Sequence, residues 1–200
     1  MSEKFQEYNP EFNHKLESKI NYLDEKLNIT FDFNEEAARH LPEITLEEIK
    51  ARKEKYAALL GKVNIKDEEN LEILIKGVLQ IEGENHGYYK EGIHEVSKIK
   101  TSEIVQLLEK VKEANEEYRD FDLVGEIHTH PIYRHDSDSC NPSKGDMDSI
   151  IDVYEKQMLT PDKPYIFGIA GVDKKSNTQY AFYRLIKKAD EYSCMPINAS

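Results

Sequence analysis

The order of helical and extended patterns along this chain predicts an α/β fold of the α+β kind, in which helices flank a mixed β-sheet. Two runs of apolar and β-branched residues, at 56–65 and 71–81, are separated by a short polar turn. Two longer segments, at 10–27 and 102–119, repeat apolar residues at every third or fourth position, which is typical of amphipathic helices. The first of these segments predicts a helical N-terminal extension to the sheet domain.

Composition limits the classes of partner and of domain organisation. The 200 residues suit one main domain, so we expect an N-terminal helical extension at 1–40, a domain at 41–188 and a C-terminal tail at 189–200. A formal charge of −12 disfavours nucleic acid and anionic membranes as partners. No apolar run approaches the roughly 18 residues of a membrane span, and the start lacks a signal-peptide pattern, so we expect a cytoplasmic protein.

Two helices are predicted before the first strand. In the segment 10–27, apolar residues recur at spacings of three and four, at Phe12, Leu16, Ile20, Leu23 and Leu27. A second helix is expected to begin near Thr45, whose hydroxyl can cap it, and to run to Arg52 or beyond. Glu48 lies three residues after Thr45, which completes the pattern of a capping box.

The middle of the chain predicts a hairpin followed by a long helix. Residues 56–65 and 71–81 form its strands. The glycine-rich segment 83–92 predicts a loop or short strand, and 96–99 predicts one more strand. Residues 102–119 place apolar side chains on one face and acidic ones largely opposite, which indicates an amphipathic helix.

The last third predicts three strands and one helix. Apolar runs at 123–129, 165–172 and 179–186 indicate strands, and 144–157 indicates a helix between the first two. No internal repeat or low-complexity segment interrupts this order.

His128 and His130 are the candidate metal ligands. Two histidines at spacing two cannot share a helix face, but alternation along a strand points both imidazoles to the same side. Pro131 ends the strand directly after them, which places both rings at the sheet edge, although a solvated pair at a strand end is the alternative. Catalytic zinc takes three protein ligands and keeps a fourth position for water. Asp146 can supply the third ligand.

Ser143 and Asp146 have a structural as well as a functional interpretation. A serine at the start of a helix with an acidic residue three positions later is the pattern of a capping box. The free amides of a helix N-terminus would also hold Asp146 ionised and well oriented for a metal. The Ser143 hydroxyl could at the same time donate a hydrogen bond to a developing oxyanion.

These residues resemble the signature of the JAMM, or MPN-plus, zinc metalloprotease family. That signature is a distant Glu, then His-(Ser/Thr)-His-Pro, then Ser-x-x-Asp, and it is matched by Val124–Pro131 and Ser143–Asp146. Glu54–Gly61 reproduces the family's spacing between the distant Glu and a glycine. The resemblance covers roughly 43–186 and implies a mixed sheet of the MPN and cytidine-deaminase type.

The resemblance implies a zinc-dependent hydrolase that cleaves a peptide or isopeptide bond. Its substrate would be the C-terminus of a ubiquitin-like or sulfur-carrier protein. His128, His130 and Asp146 would hold Zn²⁺, and Ser143 would stabilise the oxyanion. Glu54 would be the general base that activates water.

Two alternatives stay open at this point. Glu126, two residues before His128, would face the same side of the strand and is the other candidate base. Many domains of the family are scaffolds without metal, so the second candidate function is a catalytically silent MPN-type scaffold or protein-binding module. A zinc deaminase is disfavoured because the chain has no Cys-x-x-Cys.

The spacer between the second His and the Ser departs from the family pattern. Twelve residues separate His130 from Ser143, more than family members usually have, and they could form a loop over the cleft. Within it, His135 could be an extra ligand or a solvated residue. Cys140 could occupy the open zinc position or be an ordinary exposed thiol.

Overall fold

A seven-stranded mixed sheet dominates the computed structural model, which describes residues 20–51, 54–81, 88–90, 93–95, 112–113, 116–130, 140–155, 163–173 and 175–198. The strands are β1 (Asn28–Phe33), β2 (Tyr56–Ile65), β3 (Asn70–Ile81), β4 (Tyr88–Lys90), β5 (Ile93–Glu95), β6 (Asp122–Thr129), β7 (Ile166–Val172), β8 (Thr178–Lys188) and β9 (Glu191–Ile197). The sheet order is β1-β3-β2-β6-β7-β8-β9, and β4 pairs with β5 separately.

The described helices are few and short. They are α1 (Glu35–Arg39), α2 (Leu46–Ala51), α3 (Lys144–Glu155) and a 3-10 turn (Glu116–Tyr118). Thr45 and Glu48 bond each other's backbone N–H at the start of α2, which confirms the predicted capping box. The described residues confirm the α+β class, and within them the seven-stranded mixed sheet dominates.

The predicted hairpin and the histidine-bearing strand are confirmed. β2 and β3 pair antiparallel, from Tyr56 opposite Ile81 to Ile65 opposite Leu71. β6 pairs antiparallel with β2 and parallel with β7, so it is an internal strand. Gly125 makes this close pairing possible, since a Cβ there would clash with the backbone of β7.

The sheet has helices on both faces. Ala37 of α1 packs in the same core cluster as Ile127 of β6, and Ile150 of α3 packs in another with Ile169 of β7. Ile169 lies opposite His128 in the register, and neighbouring residues of a strand point to opposite faces. It follows that α3 lies on the face that carries the histidines, and α1 on the other.

The predicted helix at 10–27 is wrong in the part that the structure describes, and 10–19 lies outside the described residues. Residues 20–27 form turns. The Asn21 and Asp24 side chains each accept a hydrogen bond from the backbone N–H two residues later, which competes with helix formation. Leu23 and Leu27 are nevertheless buried, so their helix-like spacing reflects core contacts of a loop.

Both ends of the described chain add an edge strand. β1 lies in the segment predicted as a helical extension, and it pairs in parallel with β3. β9 lies in the segment predicted as a tail, and it pairs antiparallel with β8. The predicted strand at 96–99 and most of the predicted helix at 102–119 lie outside the described residues. In the described ranges, no helix combines the length and apolar character that a membrane crossing requires.

Candidate metal centre

His128 in strand β6 and His130, directly after the end of that strand, reach one buried position. The side chains alternate as predicted, so His128 and His130 share a face, and the two residues are only 4% and 7% exposed. Their Nε2 atoms lie 3.1 Å apart. The strand is held at this point by a hydrogen bond from the His130 N–H to the Ala170 carbonyl of β7, at 2.7 Å.

Helix α3 brings Asp146 to the same position. Its Oδ1 lies 3.2 Å from Nε2 of His128, and its Oδ2 lies 3.3 Å from Nε2 of His130. The three predicted ligands therefore meet, and the cluster could hold a metal ion. Asp146 is partly buried, so that solvent reaches the carboxylate more easily than the imidazoles.

The first turn of α3 fixes the orientation of Asp146. The Ser143 N–H donates to Oδ2 of Asp146 at 2.6 Å, and the Asp146 N–H donates to the Ser143 hydroxyl at 3.2 Å. This reciprocal pair is the predicted capping box. Since the hydroxyl oxygen accepts from the helix, its own O–H is directed elsewhere and can serve as a donor.

The spacing of the two imidazole nitrogens and the carboxylate suits a small metal ion. Bonds of about 2.0–2.2 Å at tetrahedral angles put ligand atoms about 3.3–3.6 Å apart. The two Nε2 atoms lie 3.1 Å apart, and each has a different oxygen of the carboxylate at 3.2–3.3 Å. Without an ion, imidazoles that both donated to this carboxylate would hold two Nε2–H groups only 3.1 Å apart. Among the described residues, neither buried Nδ1 atom has a hydrogen-bond partner.

The charges of the cluster favour the ionised carboxylate that metals require. Burial alone would raise the pKa of Asp146, but hydrogen bonds and charge from His128 and His130 lower it below its ordinary value. Burial alone would lower the pKa of His128, but Asp146, Glu126 and Glu54 raise it above its ordinary value. A metal ion binds the neutral imidazole, so it would displace the proton from the ring. Its positive charge would then take the place of the proton beside these carboxylates.

The register of β2 places Glu54 beside the histidines. The Thr129 N–H donates to the Lys55 carbonyl at 3.0 Å, and the Lys55 N–H donates to the Thr129 hydroxyl at 2.8 Å. Lys55 and Thr129 are thus opposite each other, which places Glu54 opposite His130. Opposite residues of an antiparallel pair share a face, so the Glu54 side chain is on the side of the two histidines.

The two candidate bases have different tyrosine partners. The Tyr56 hydroxyl donates to Oε2 of Glu54 at 3.2 Å, and the Tyr165 hydroxyl donates to Oε2 of Glu126 at 3.0 Å. Burial raises the pKa of Glu126 and, with nearby carboxylates, the pKa of both tyrosines, which stay protonated as donors. Neither contact assigns the base, and both carboxylates remain candidates.

Sequence reasoning missed the tyrosines and misplaced the cysteine. Tyr56 follows Glu54 by two residues on a strand, so period-two alternation could have identified it. Tyr165 could not be found that way, because its contact depends on how β6 and β7 pair. Cys140 is buried rather than exposed, and its thiol donates to the Gln179 carbonyl at 3.3 Å. His135 lies outside the described residues.

Comparisons with known proteins add little to this geometry. No model of a known family matches the chain, and no curated protein sequence matches it. Among solved structures, the chain is similar to the solution structure of protein DSY2949 from Desulfitobacterium hafniense. The identity is 11%, the match covers 86% of this chain and 93% of that chain, and the TM-score is 0.45. A likeness at this level supports no conclusion about function.

Proposed function

We propose that this chain is a zinc-dependent hydrolase of the JAMM, or MPN-plus, type that cleaves a peptide or isopeptide bond. The observation that carries the proposal is the meeting of His128, His130 and Asp146 in a largely buried position, where the two Nε2 atoms lie 3.1 Å apart and each lies 3.2–3.3 Å from an oxygen of the carboxylate. Two imidazole nitrogens and one carboxylate form a common donor set of catalytic zinc, with a fourth position left for solvent.

The remaining side chains have the chemistry that hydrolysis needs. When bound, zinc would polarise the scissile carbonyl and lower the pKa of a bound water to about 7. Glu54 accepts a proton from the attacking water and delivers it to the leaving amine as the C–N bond breaks. The Ser143 hydroxyl donates a hydrogen bond to the oxygen that becomes negative in the tetrahedral intermediate.

The substrate class is the one that the family resemblance implies. An extended C-terminal tail, as in a ubiquitin-like or sulfur-carrier protein, can pair with an exposed sheet edge, which gives main-chain hydrogen bonds without sequence preference. The chain's charge of −12 suits a partner with a basic face.

The first test joins metal content to turnover. Protein purified without added metal, then loaded with zinc, is analysed by mass spectrometry of the elements and assayed on ubiquitin or a sulfur-carrier protein whose C-terminal carboxyl is joined to a fluorescent amine. We expect about one zinc per chain and release of the amine. His128→Ala should lose both zinc and turnover, whereas Glu54→Gln should keep zinc and lose turnover.

Glu126→Gln is the matched control for the base. Glu126 is the other candidate carboxylate on the same face of the sheet. If Glu126→Gln loses turnover while Glu54→Gln keeps full activity, the general base is Glu126 and not Glu54. Zinc content near zero that supplementation does not raise would contradict the hydrolase and favour the scaffold.

A further inference from the structure

Tyr56 contacts both halves of the proposed site with one side chain. Its hydroxyl donates to Oε2 of Glu54 at 3.2 Å. Its ring stacks on the imidazole of His128, with 5.4 Å between the ring centroids and 24° between the planes. The same tyrosine therefore joins the candidate base to a candidate metal ligand.

The backbone explains why one residue can make both contacts. Tyr56 lies opposite His128 in the antiparallel register of β2 and β6, so the two rings extend from the same face at neighbouring positions. Glu54 precedes Tyr56 by two residues, and period-two alternation brings its side chain to that face as well. Stacking fixes the plane of the phenol ring, and the plane sets where the hydroxyl points.

A glutamate needs such a contact if it is to work as a base. Its carboxylate lies beyond three rotatable bonds, and water can reach it, since Glu54 is only half-buried. A proton acceptor must lie within hydrogen-bond reach of the attacking water, and a displacement of about 1 Å can cost about a hundredfold in rate. A hydrogen bond from a rigid neighbour favours one rotamer of the Glu54 side chain over the others.

We propose that Tyr56 is a positioning residue: its hydroxyl holds the Glu54 carboxylate beside the metal centre, and its ring holds the plane of the His128 imidazole. The proposal rests on the proposed function for the first part, whereas the second part concerns metal binding alone. The two parts separate by substitution, because phenylalanine removes only the hydroxyl and leucine removes the aromatic ring as well.

Tyr56→Phe and Tyr56→Leu should therefore fail in different ways. We expect Tyr56→Phe to keep the zinc affinity and KM of the parent while kcat falls about tenfold or more. Tyr56→Leu should show the same loss in kcat and, in addition, a zinc affinity about 10–100-fold weaker, the usual cost of losing a contact that orients a ligand. Tyr180→Phe, at an exposed tyrosine of β8, is the matched control and should match the parent.

Three measurements on the full chain decide the proposal: zinc affinity by competition with a chelator, the visible spectrum of the Co²⁺-loaded protein, and kcat and KM on the fluorescent amine conjugate. The Co²⁺ spectrum should be unchanged in Tyr56→Phe and altered in Tyr56→Leu. Full kcat in Tyr56→Phe, or a loss confined to KM, would overturn the first part. Equal zinc affinity in parent and Tyr56→Leu would overturn the second.

Failure of the proposed function is distinguishable from failure of this inference. If the zinc-loaded parent cleaves nothing, crystal structures of zinc-loaded parent and Tyr56→Phe still test the first part. We expect Glu54 within hydrogen-bond distance of the hydroxyl in the parent and in another rotamer in the variant. An identical Glu54 position in both would refute the positioning role.

Discussion

Replacing Arg184 by methionine should destabilise the protein more than any surface change on the same strand. Arg184 is 2% exposed, and its guanidinium donates to four backbone carbonyls of the turn at residues 22–27. The bonds are 3.2 Å to Tyr22, 2.9 Å to Asp24, 3.0 Å to Glu25 and 2.7 Å to Leu27. Methionine fills much of the volume and donates nothing.

The loss in the free energy of unfolding depends on the hydrogen bonds that water cannot replace in the variant. Those to Tyr22 and Leu27 are buried, whereas those to Asp24 and Glu25 are only partly buried and their carbonyls can become hydrated. A hydrogen bond to a charged group contributes about 1.5–3 kcal/mol, so two lost bonds amount to about 3–6 kcal/mol, of which relief of the buried charge returns a part. We expect a fall of about 3 kcal/mol in the free energy of unfolding.

Thermal and urea unfolding, followed by circular dichroism, measures this change. A loss of about 3 kcal/mol corresponds to about 6–12 °C in Tm for a chain of this length. Lys188→Met is the control, since Lys188 reaches the same turn through an exposed ion pair with Glu25 and should cost at most about 1 kcal/mol. Equal stability of Arg184→Met and Lys188→Met would refute the reasoning.

Three further variants test separate parts of the fold. Burial alone would raise the pKa of Glu48, but hydrogen bonds from Lys55 and Thr45 lower it. The charge of Glu48 therefore adds to the free energy of unfolding above its ordinary pKa, and this contribution is lost as pH falls through the lowered pKa. Glu48→Gln should therefore cost about 0.5–1 kcal/mol at pH 7 and nothing in strong acid; a gap that widens in acid contradicts this sign. Thr129→Val leaves the Lys55 N–H without its acceptor and should cost about 1–2 kcal/mol in urea unfolding, unlike the conservative Thr129→Ser. Gly125→Ala should be poorly folded by circular dichroism, because its Cβ would meet the β7 backbone.

The sequence predicts the internal strands and the shared face of the two histidines well for one physical reason. Residues 56–65, 123–129 and 165–172 are internal strands, so burial on both faces makes them nearly continuous apolar runs. A polar pair such as His128 and His130 in such a run requires an explanation, and strand alternation supplies its geometry. The contact with Asp146 was predicted from the motif alone. Strand and helix patterns are local, so they do not show which helix N-terminus lies beside which strand end.

Edge strands and loop contacts were harder to predict from sequence. Residues 28–33 alternate Ile, Phe and Phe with polar residues, but the helix-like spacing of the preceding leucines obscured this short run. Residues 191–197 include Pro196 and many exposed side chains, and their strand conformation depends on pairing with β8. The spacing of Leu23 and Leu27 resembles a helix, yet Arg184, about 160 residues later, binds the carbonyls that a helix would have used.

The most direct test of the metal centre is anomalous diffraction at the zinc absorption edge from crystals of the full chain grown with zinc. We expect one strong peak within bonding distance, about 2.0–2.2 Å, of Nε2 of His128, Nε2 of His130 and a carboxylate oxygen of Asp146. The peak should be absent in Asp146→Ala crystals. A well-ordered site with no peak between these three side chains, or a zinc ion bound to other residues, would contradict this prediction.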